Sequence, residues 1–281
     1  MKNFKNRTVV INFKNNVNIA VTIGKPDKPL LVDGKNTNPF FNEAGYYLIE
    51  EIRIGKKLVH FFPLNRIYNI DFRLANWRFP SNCYVITDPP YNIGFKYNTY
   101  SDKLSPEEYC DLLKAAVEKR KSIVIHHPEE TINILPRVTG TLCQEVATWV
   151  YNVNTPKQSR SITWWGCKPD FSKVGQEYKN PNDPRIKLRI AAGKKARIYD
   201  WWFIQLVKNV SKKMSGNPHK CTIPEEVIER IILTTTEVGD IIVDPFAGSG
   251  TVLKVAKKLG RKYLGFEIDR TYYRYMKSIG L

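Results

Sequence analysis

Apolar residues recur along this chain with two periods. Val17-Asn18-Ile19-Ala20-Val21-Thr22-Ile23 carries an apolar side chain at every second place and predicts a half-buried strand. Glu50–Ile54 and Leu58–Phe62 flank Gly55-Lys56-Lys57 and predict a hairpin. Lys25 to Asn38 is rich in Pro, Gly, Asp and Asn and predicts loop. Beyond Pro63 the apolar runs become short and unbroken: Tyr84-Val85-Ile86, Ser122-Ile123-Val124-Ile125, Ile241-Ile242-Val243 and Tyr263-Leu264-Gly265-Phe266. Such runs suit strands buried on both faces. Arg66–Ile70 predicts another, ending at Asp71, with Phe72–Trp77 able to begin a helix capped by Asp71. Between the strands the period is helical. Tyr109, Leu112, Leu113, Ala116 and Val117 share a face behind the capping box Ser105-Pro106-Glu107-Glu108. Val227, Ile228, Ile231 and Ile232 share another behind Thr222 and Glu225, a second capping pair. Val252, Leu253, Val255, Ala256 and Leu259 form a third, ending at Gly260. The pattern predicts an α/β fold: a mostly parallel sheet with helices on both faces, preceded by a β-rich N-terminal extension.

Two strand ends carry candidate chemistry. The Tyr84 run delivers Asp88-Pro89-Pro90-Tyr91 at the edge where open α/β sheets bind ligands. Two prolines fix φ twice and remove two N–H donors, leaving stiff carbonyls beside a carboxylate and an aromatic ring. That set suits a planar group that donates hydrogen bonds, such as the exocyclic amine of a nucleobase; the plainer account is a proline-rich loop with Tyr91 as packing. The Ile241 run delivers Asp244-Pro245-Phe246-Ala247-Gly248-Ser249-Gly250-Thr251 and then a helix. Gly248 and Gly250 allow close backbone approach to a ligand, and the helix start presents unpaired N–H groups. Glu267 ends the next strand, at the distance where an acidic residue binds ribose hydroxyls, or else it is a solvated charge.

The two peptides together resemble the amino-group DNA methyltransferases, which use S-adenosylmethionine. D-P-P-Y matches their catalytic motif and D-P-F-A-G-S-G-T their cofactor loop, from roughly Asn65 to the C-terminus. Here the catalytic motif comes first, similar to the family's permuted β group; protein-glutamine and ribosomal RNA methyltransferases with N-P-P-Y usually run the other way. The resemblance implies a Rossmann-like methyltransferase fold in which Asp88, Pro89, Pro90 and Tyr91 are catalytic. Asp88 and the Pro89 carbonyl would accept the two amino hydrogens, and Tyr91 would stack on a flipped base under the Tyr-rich loop Asn92–Lys103. The cofactor bed would comprise Asp71 (on the adenine amino group), Asp88, His219, Lys220, Thr222, Asp244, Phe246, Ala247, Gly248, Ser249, Gly250, Thr251 and Glu267. His219 and Pro224 fit the family's H-P-x-x-F-P pattern, whereas Lys220 stands where proline is usual and Ile223 replaces the aromatic. Aspartate at position 88 favours adenine N6 as the target, because cytosine-N4 enzymes more often carry serine there. Cytosine N4 is the alternative, and a non-catalytic DNA-binding protein with this fold is the reading from another class.

Charge supports a polyanionic partner. The 281 residues carry a net charge of +17, with 44 Lys and Arg against 27 Asp and Glu. The excess gathers between Tyr151 and Lys213, where only Asp170, Glu177, Asp183 and Asp200 oppose the basic residues. Lys157, Arg160, Lys168, Lys173, Arg185, Lys187, Arg189, Lys194, Lys195 and Arg197 are the expected contacts to double-stranded DNA, interleaved with Trp164, Trp165, Tyr178 and Tyr199. Asn180–Pro184 argues for loops, and Trp201-Trp202-Phe203 for core. Four zones result: an extension at 1–63 of unassigned role, a catalytic half at 64–150, a basic target-recognition insert at 151–213 and a cofactor half at 214–281. Five scattered cysteines, at 83, 110, 143, 167 and 221, form no CxxC pair and read as reduced thiols, Cys221 among them as buried. His126 and His127 read as packing or surface residues, and no metal site is expected. The absence of a secretory pattern and of a long apolar run predicts a cytoplasmic, DNA-associated protein. A second copy of the chain and a cognate restriction endonuclease are further candidate partners.

Overall fold

The fold is taken from a computed structural model. It describes the backbone of residues 7–13, 17–23, 31–32, 35–36, 49–54, 57–61 and 74, and whole residues at 64–73, 79–80, 82–154, 156–207, 219 and 221–281. The expected turn at Gly55-Lys56, and Lys220 of the expected cofactor bed, lie outside the described residues.

The N-terminal extension is β-rich, as its alternation predicts. Strands β1 (Arg7–Phe13) and β2 (Val17–Ile23) are followed by the short antiparallel pair β3 (Leu31–Val32) and β4 (Lys35–Asn36), which lies inside the stretch expected as loop. Strands β5 (Ile49–Ile54) and β6 (Lys57–Phe61) pair with Ile54 opposite Lys57, the register of a tight hairpin. Strands β1, β2, β5 and β6 form one antiparallel sheet in that order.

The remaining elements are β7 (Arg66–Tyr68), β8 (Tyr84–Thr87), α1 (Pro106–Val117), β9 (Lys121–His126), α2 (Pro128–Asn133), α3 (Leu135–Thr139), β10 (Cys143–Val150) and β11 (Ser159–Trp165). Then follow β12 (Gly175–Gln176), α4 (Pro184–Ala191), β13 (Ala196–Arg197), β14 (Trp201–Phe203), α5 (Glu225–Thr235), β15 (Ile241–Asp244), α6 (Thr251–Lys258), β16 (Lys262–Phe266) and α7 (Arg270–Ser278). Eight strands form the central sheet in the order β14-β10-β11-β9-β8-β15-β16-β7. Neighbours run parallel except around β11, which opposes both β9 and β10. The catalytic and cofactor halves, far apart in sequence, meet through the parallel pairing of β8 with β15, Val85 opposite Val243.

Alternation along the strands divides the core in two. Ile86, Ile123, Ile125 and Ile242 face a layer built from α5, α6 and α7 through Ile228, Leu253 and Met276. Val85, Val124, Val243 and Leu264 face the opposite layer, where Leu113 and Val117 of α1 and Val138 of α3 cover them. Helices thus cover both faces. Each fully buried aliphatic side chain contributes about 1.5–3 kcal/mol, so neither layer is dispensable. Gly265 sets how closely α6 can dock: a Cβ there would lie 2.2 Å from Leu253 Cδ1.

Local signals mostly hold. Ser105 caps α1 with both halves of the capping box formed. The second expected box does not form: α5 begins at Glu225 with Pro224 in the cap position and no side-chain cap, and Glu225 instead accepts from Lys254 Nζ on α6 at 2.6 Å. Trp164 and Trp165, expected among the DNA contacts, are core residues of β11 at 0% and 2% exposure. Their alternation was masked because a strand buried on both faces has none. Trp202 is buried as expected, but Trp201 and Phe203 point outward from the edge strand β14. β11 and β14 belong to the central sheet, and the stretch of the basic zone between them is residues 166–200. There, Asn180–Asp183 is turn as expected, and it leads into a helix: Asp183 caps α4 by accepting from the Arg185 N–H at 2.9 Å.

Candidate active site

The carboxyl ends of β8 and β15 open into a cavity of about 420 Å³. Asp88, Pro89, Pro90 and Tyr91 line one wall; Asp244, Phe246, Ala247, Gly248, Ser249 and Thr251 line another; Asp71, His219, Thr222 and Glu267 complete it. The strand pairing brings the walls together, and Thr87 Oγ1 ties them by donating to Asp244 Oδ1 at 2.9 Å.

Asp88 accepts a hydrogen bond from the Tyr91 hydroxyl. Burial pushes its carboxyl up to about 6, against the pull of Tyr91 and of the Arg160 guanidinium. The Tyr91 ring meets His127 edge-on at 4.6 Å between centres, and Arg160 stands over it at 5.3 Å. The ring expected to stack on a base is thus already engaged on both counts. His126 and His127 are buried packing residues; the imidazole of His126 is held between the His127 carbonyl and Thr163 Oγ1.

The loop after the tetrad is fastened by one side chain. Buried Asp102 accepts from the backbone N–H groups of Asn92, Ile93 and Phe95 at 2.9, 3.1 and 2.9 Å. Asn92 both donates to the Leu104 carbonyl and accepts from its N–H. Thr99 Oγ1 reaches Asp269 Oδ2 at 3.3 Å and joins this loop to the start of α7.

The opposite wall is shaped by glycine. Gly248 has φ +52°, and a Cβ on it would lie 2.9 Å from His219 Nε2. Its N–H donates to Glu267 Oε2 at 2.8 Å, while Glu267 Oε1 accepts from the Asp269 N–H at 2.7 Å. Burial pushes Glu267 up to about 7, and does the same to Asp244. Gly250 corrects the expectation of close ligand approach: it does not line the cavity, and its missing side chain makes room for Leu281 and Met276. Asp71 lines the cavity and also accepts from the Arg73 N–H at 2.9 Å, closing the short 3₁₀ turn Phe72–Leu74. His219 packs edge-on against Tyr272 at 4.6 Å, and burial lowers it to about 4. Cys221, expected buried, is exposed on the cavity wall.

Of the ten expected DNA contacts, Arg160 lines the cavity. Lys157, Lys173, Arg185 and Lys195 form surface ion pairs with Glu129, Glu237, Asp183 and Glu177. Arg189 donates to the Tyr178 hydroxyl at 3.0 Å. Lys168, Lys187, Lys194 and Arg197 are exposed. Two residues, Asp102 and Asp269, escaped the sequence reading, and Arg160 was read only as a DNA contact. Arg160 was hidden in a basic run, and Asp102 gives no signal before the loop is folded. Asp269 was legible, because an aspartate one residue before a helical segment is an N-cap signature, and it does accept from Thr271 and Tyr272.

The cavity holds an acidic set (Asp71, Asp88, Asp244, Glu267, Asp269) on an apolar floor and is fit for a cationic, largely flat ligand. Comparison with known proteins agrees. A family model for N6/N4 methyltransferases, described as DNA methylase, matches residues 84–278. The Type II methyltransferase M.HpaI of Haemophilus parainfluenzae is 28% identical over 216 residues, covering 69% of this chain and 66% of that protein, so the chain spans about two thirds of its length. Among solved structures, the cytosine-N4-specific PvuII DNA methyltransferase superposes with a TM-score of 0.55 at 19% identity, over 76% of this chain and 86% of that one. M1.HpyAVI in complex with SAM does so with 0.51 at 18%, over 77% and 99%. At those identities the likeness is one of fold.

Proposed function

Since the chain belongs to the N6/N4 DNA methylase family, we propose that it transfers a methyl group from S-adenosylmethionine to the exocyclic N6 of an adenine flipped out of double-stranded DNA. The observation that carries this reading is the shared cavity: the β8–β15 pairing sets the Asp88 tetrad against the glycine loop.

The residues present fit the cofactor. An acidic, desolvated wall suits a sulfonium cation, the left-handed Gly248 leaves the loop backbone bare, and Glu267 and Asp71 offer acceptors to hydroxyl and amino groups. When bound, S-adenosylmethionine supplies an electrophilic methyl group. The chain supplies the rest. An aromatic amine is a poor nucleophile because its lone pair is delocalised into the ring. Asp88 accepts one amino hydrogen and the Pro89 carbonyl the other, which draws the nitrogen toward tetrahedral geometry and turns its lone pair outward. The stiffness of Pro89-Pro90 fixes both acceptors before the base arrives, so positioning and oriented charge lower the barrier. The surplus proton leaves to Asp88 or to water. Flipping costs a few kcal/mol, offset by contacts to the backbone from the exposed Lys168, Lys187, Lys194 and Arg197. A cognate restriction endonuclease and a second copy of the chain extend the proposal to partners, and the cytoplasm to location.

Cytosine N4 is the second reading, since the same acceptors serve its amine; Asp88, in place of the serine more usual there, favours adenine. Incubating the protein and cofactor with methylation-free DNA, then digesting to nucleosides for mass spectrometry, separates them. N6-methyladenine is expected. N4-methylcytosine selects the second reading, and neither product from folded, cofactor-binding protein overturns both.

A further inference from the structure

Arg160 stands near the start of β11, the strand that opposes its neighbours. Its place in the basic run suggests a phosphate contact, but its guanidinium turns into the cavity. It donates to the Tyr151 hydroxyl and, at 3.0 Å, to the Ser159 carbonyl. Its Cζ lies 5.3 Å from the centre of the Tyr91 ring and 5.5 Å from that of Tyr151. Its charge also acts on Tyr91, whose hydroxyl donates to Asp88. A relay Tyr151–Arg160–Tyr91–Asp88 thus runs from the second strand of the sheet's edge to the catalytic carboxylate. Held between two rings and a main-chain carbonyl, the guanidinium is engaged on three sides. Arginine suits the place because its planar fork can stack on rings while it donates in plane.

We infer that Arg160 is a positioning residue for methyl transfer: fixed by Tyr151 and Ser159, it holds the Tyr91 ring against Asp88 and supplies the counter-charge of that carboxylate. The inference rests on the proposed function, because an acceptor is needed only if Asp88 receives an amino hydrogen. A carboxylate is acceptor-only, whereas a protonated carboxyl donates from one oxygen. The groups that act on Asp88, or it on them, are Tyr91 of its own loop, Arg160 of β11, Tyr151 after β10, Asp244 of β15, Tyr97 of the following loop and Tyr109 of α1. Among them Arg160 is the cation, and Asp244 opposes it. Arg160 itself also bears on His127 and Glu130.

The test is the pH dependence of single-turnover methylation by full-length wild type, Arg160→Met and Arg160→Lys, with cofactor and duplex affinities measured alongside. The expected result is that Arg160→Met moves the acid limb of the rate to higher pH. It would be roughly tenfold slower than wild type near pH 6, if its limb moves by about one unit, and would recover toward alkaline pH. Arg160→Lys would return the limb toward its wild-type position, and cofactor binding would persist in both. A loss equal at every pH together with weakened duplex binding assigns Arg160 to phosphate and overturns the inference, as does a wild-type profile in Arg160→Met. If wild type itself methylates no duplex, the functional reading fails first and the inference falls with it.

Discussion

The tetrad wall and the basic segment at 166–200 are built on opposite principles. Around the tetrad several polar groups are held more than once: three N–H groups converge on Asp102, Asn92 is bonded both ways, and Tyr91 is held from two sides. In the basic segment α4 buries none of its side chains; Leu188 is 75% exposed, and Arg185 and Lys195 pair with Asp183 and Glu177 on the surface. The first arrangement suits chemistry, where a small displacement of an acceptor costs rate. The second suits recognition of a partner that sets the final geometry itself. Damage to the two regions should therefore separate into lost rate and lost affinity.

The largest effect belongs to the tetrad. Asp88→Ala removes an acceptor and the group that anchors Tyr91, and a loss of at least about 10²–10³ in the transfer rate is expected, the scale for deleting one oriented electrostatic partner. Cofactor affinity should stay near wild type, because Glu267, Asp71 and the glycine loop are untouched. Calorimetry with the cofactor and rapid-quench rates on duplex check the two halves. A variant that transfers at the wild-type rate removes Asp88 from the mechanism.

The same contrast explains what could be read from the residues alone. Five strands of the central sheet, both motif loops and the helices α1, α5 and α6 were legible because a buried strand or an amphipathic face writes its period into nearby positions, as at Ile123–Ile125 and Leu112–Val117. Convergence of the halves was legible once Asp88 and Asp244 were both seen to end strands. Arg160 and Asp102 were not, because their roles arise from contacts made across long sequence separations. The second capping box failed for a local reason: Pro224 already provides an extended residue at the helix start, and Glu225 finds Lys254. The basic segment was the least legible, since charge alone does not distinguish a solvated face from a side chain turned inward.

A medium effect should appear with pH on the glycine-loop side. Burial holds the Glu267 and Asp244 carboxyls at about 7, above their ordinary values. Between those ordinary values and 7 the folded protein binds more protons than the unfolded chain. Stability of the unliganded protein therefore declines as pH rises through this window and levels off above it. Cofactor affinity should run the other way. A cation favours ionised carboxylates, so binding weakens as pH falls below 7, by up to roughly tenfold per unit for one group. Glu267→Gln should flatten both slopes in part, whereas Lys187→Ala in the basic segment should leave both unchanged. Affinity that holds constant between about pH 6 and 8 would remove these carboxylates from the cofactor's surroundings.

The smallest effect on the fold, though not on binding, is expected in the basic segment. Lys187, Lys194 and Arg197 are exposed and α4 has no buried side chain, so single alanine substitutions should change stability by no more than about 0.5 kcal/mol. Each should nevertheless weaken duplex binding and lower the salt dependence of the affinity by about one phosphate's worth of released counterion. Arg185, already paired with Asp183, should contribute less than Lys187 two residues along α4, because it must first give up that partner. The rate on duplex at saturation should be unaffected in all of them. A substitution here that slows the chemical step while leaving the salt slope intact would show that recognition and catalysis share a wall, and the division between the two regions would no longer hold.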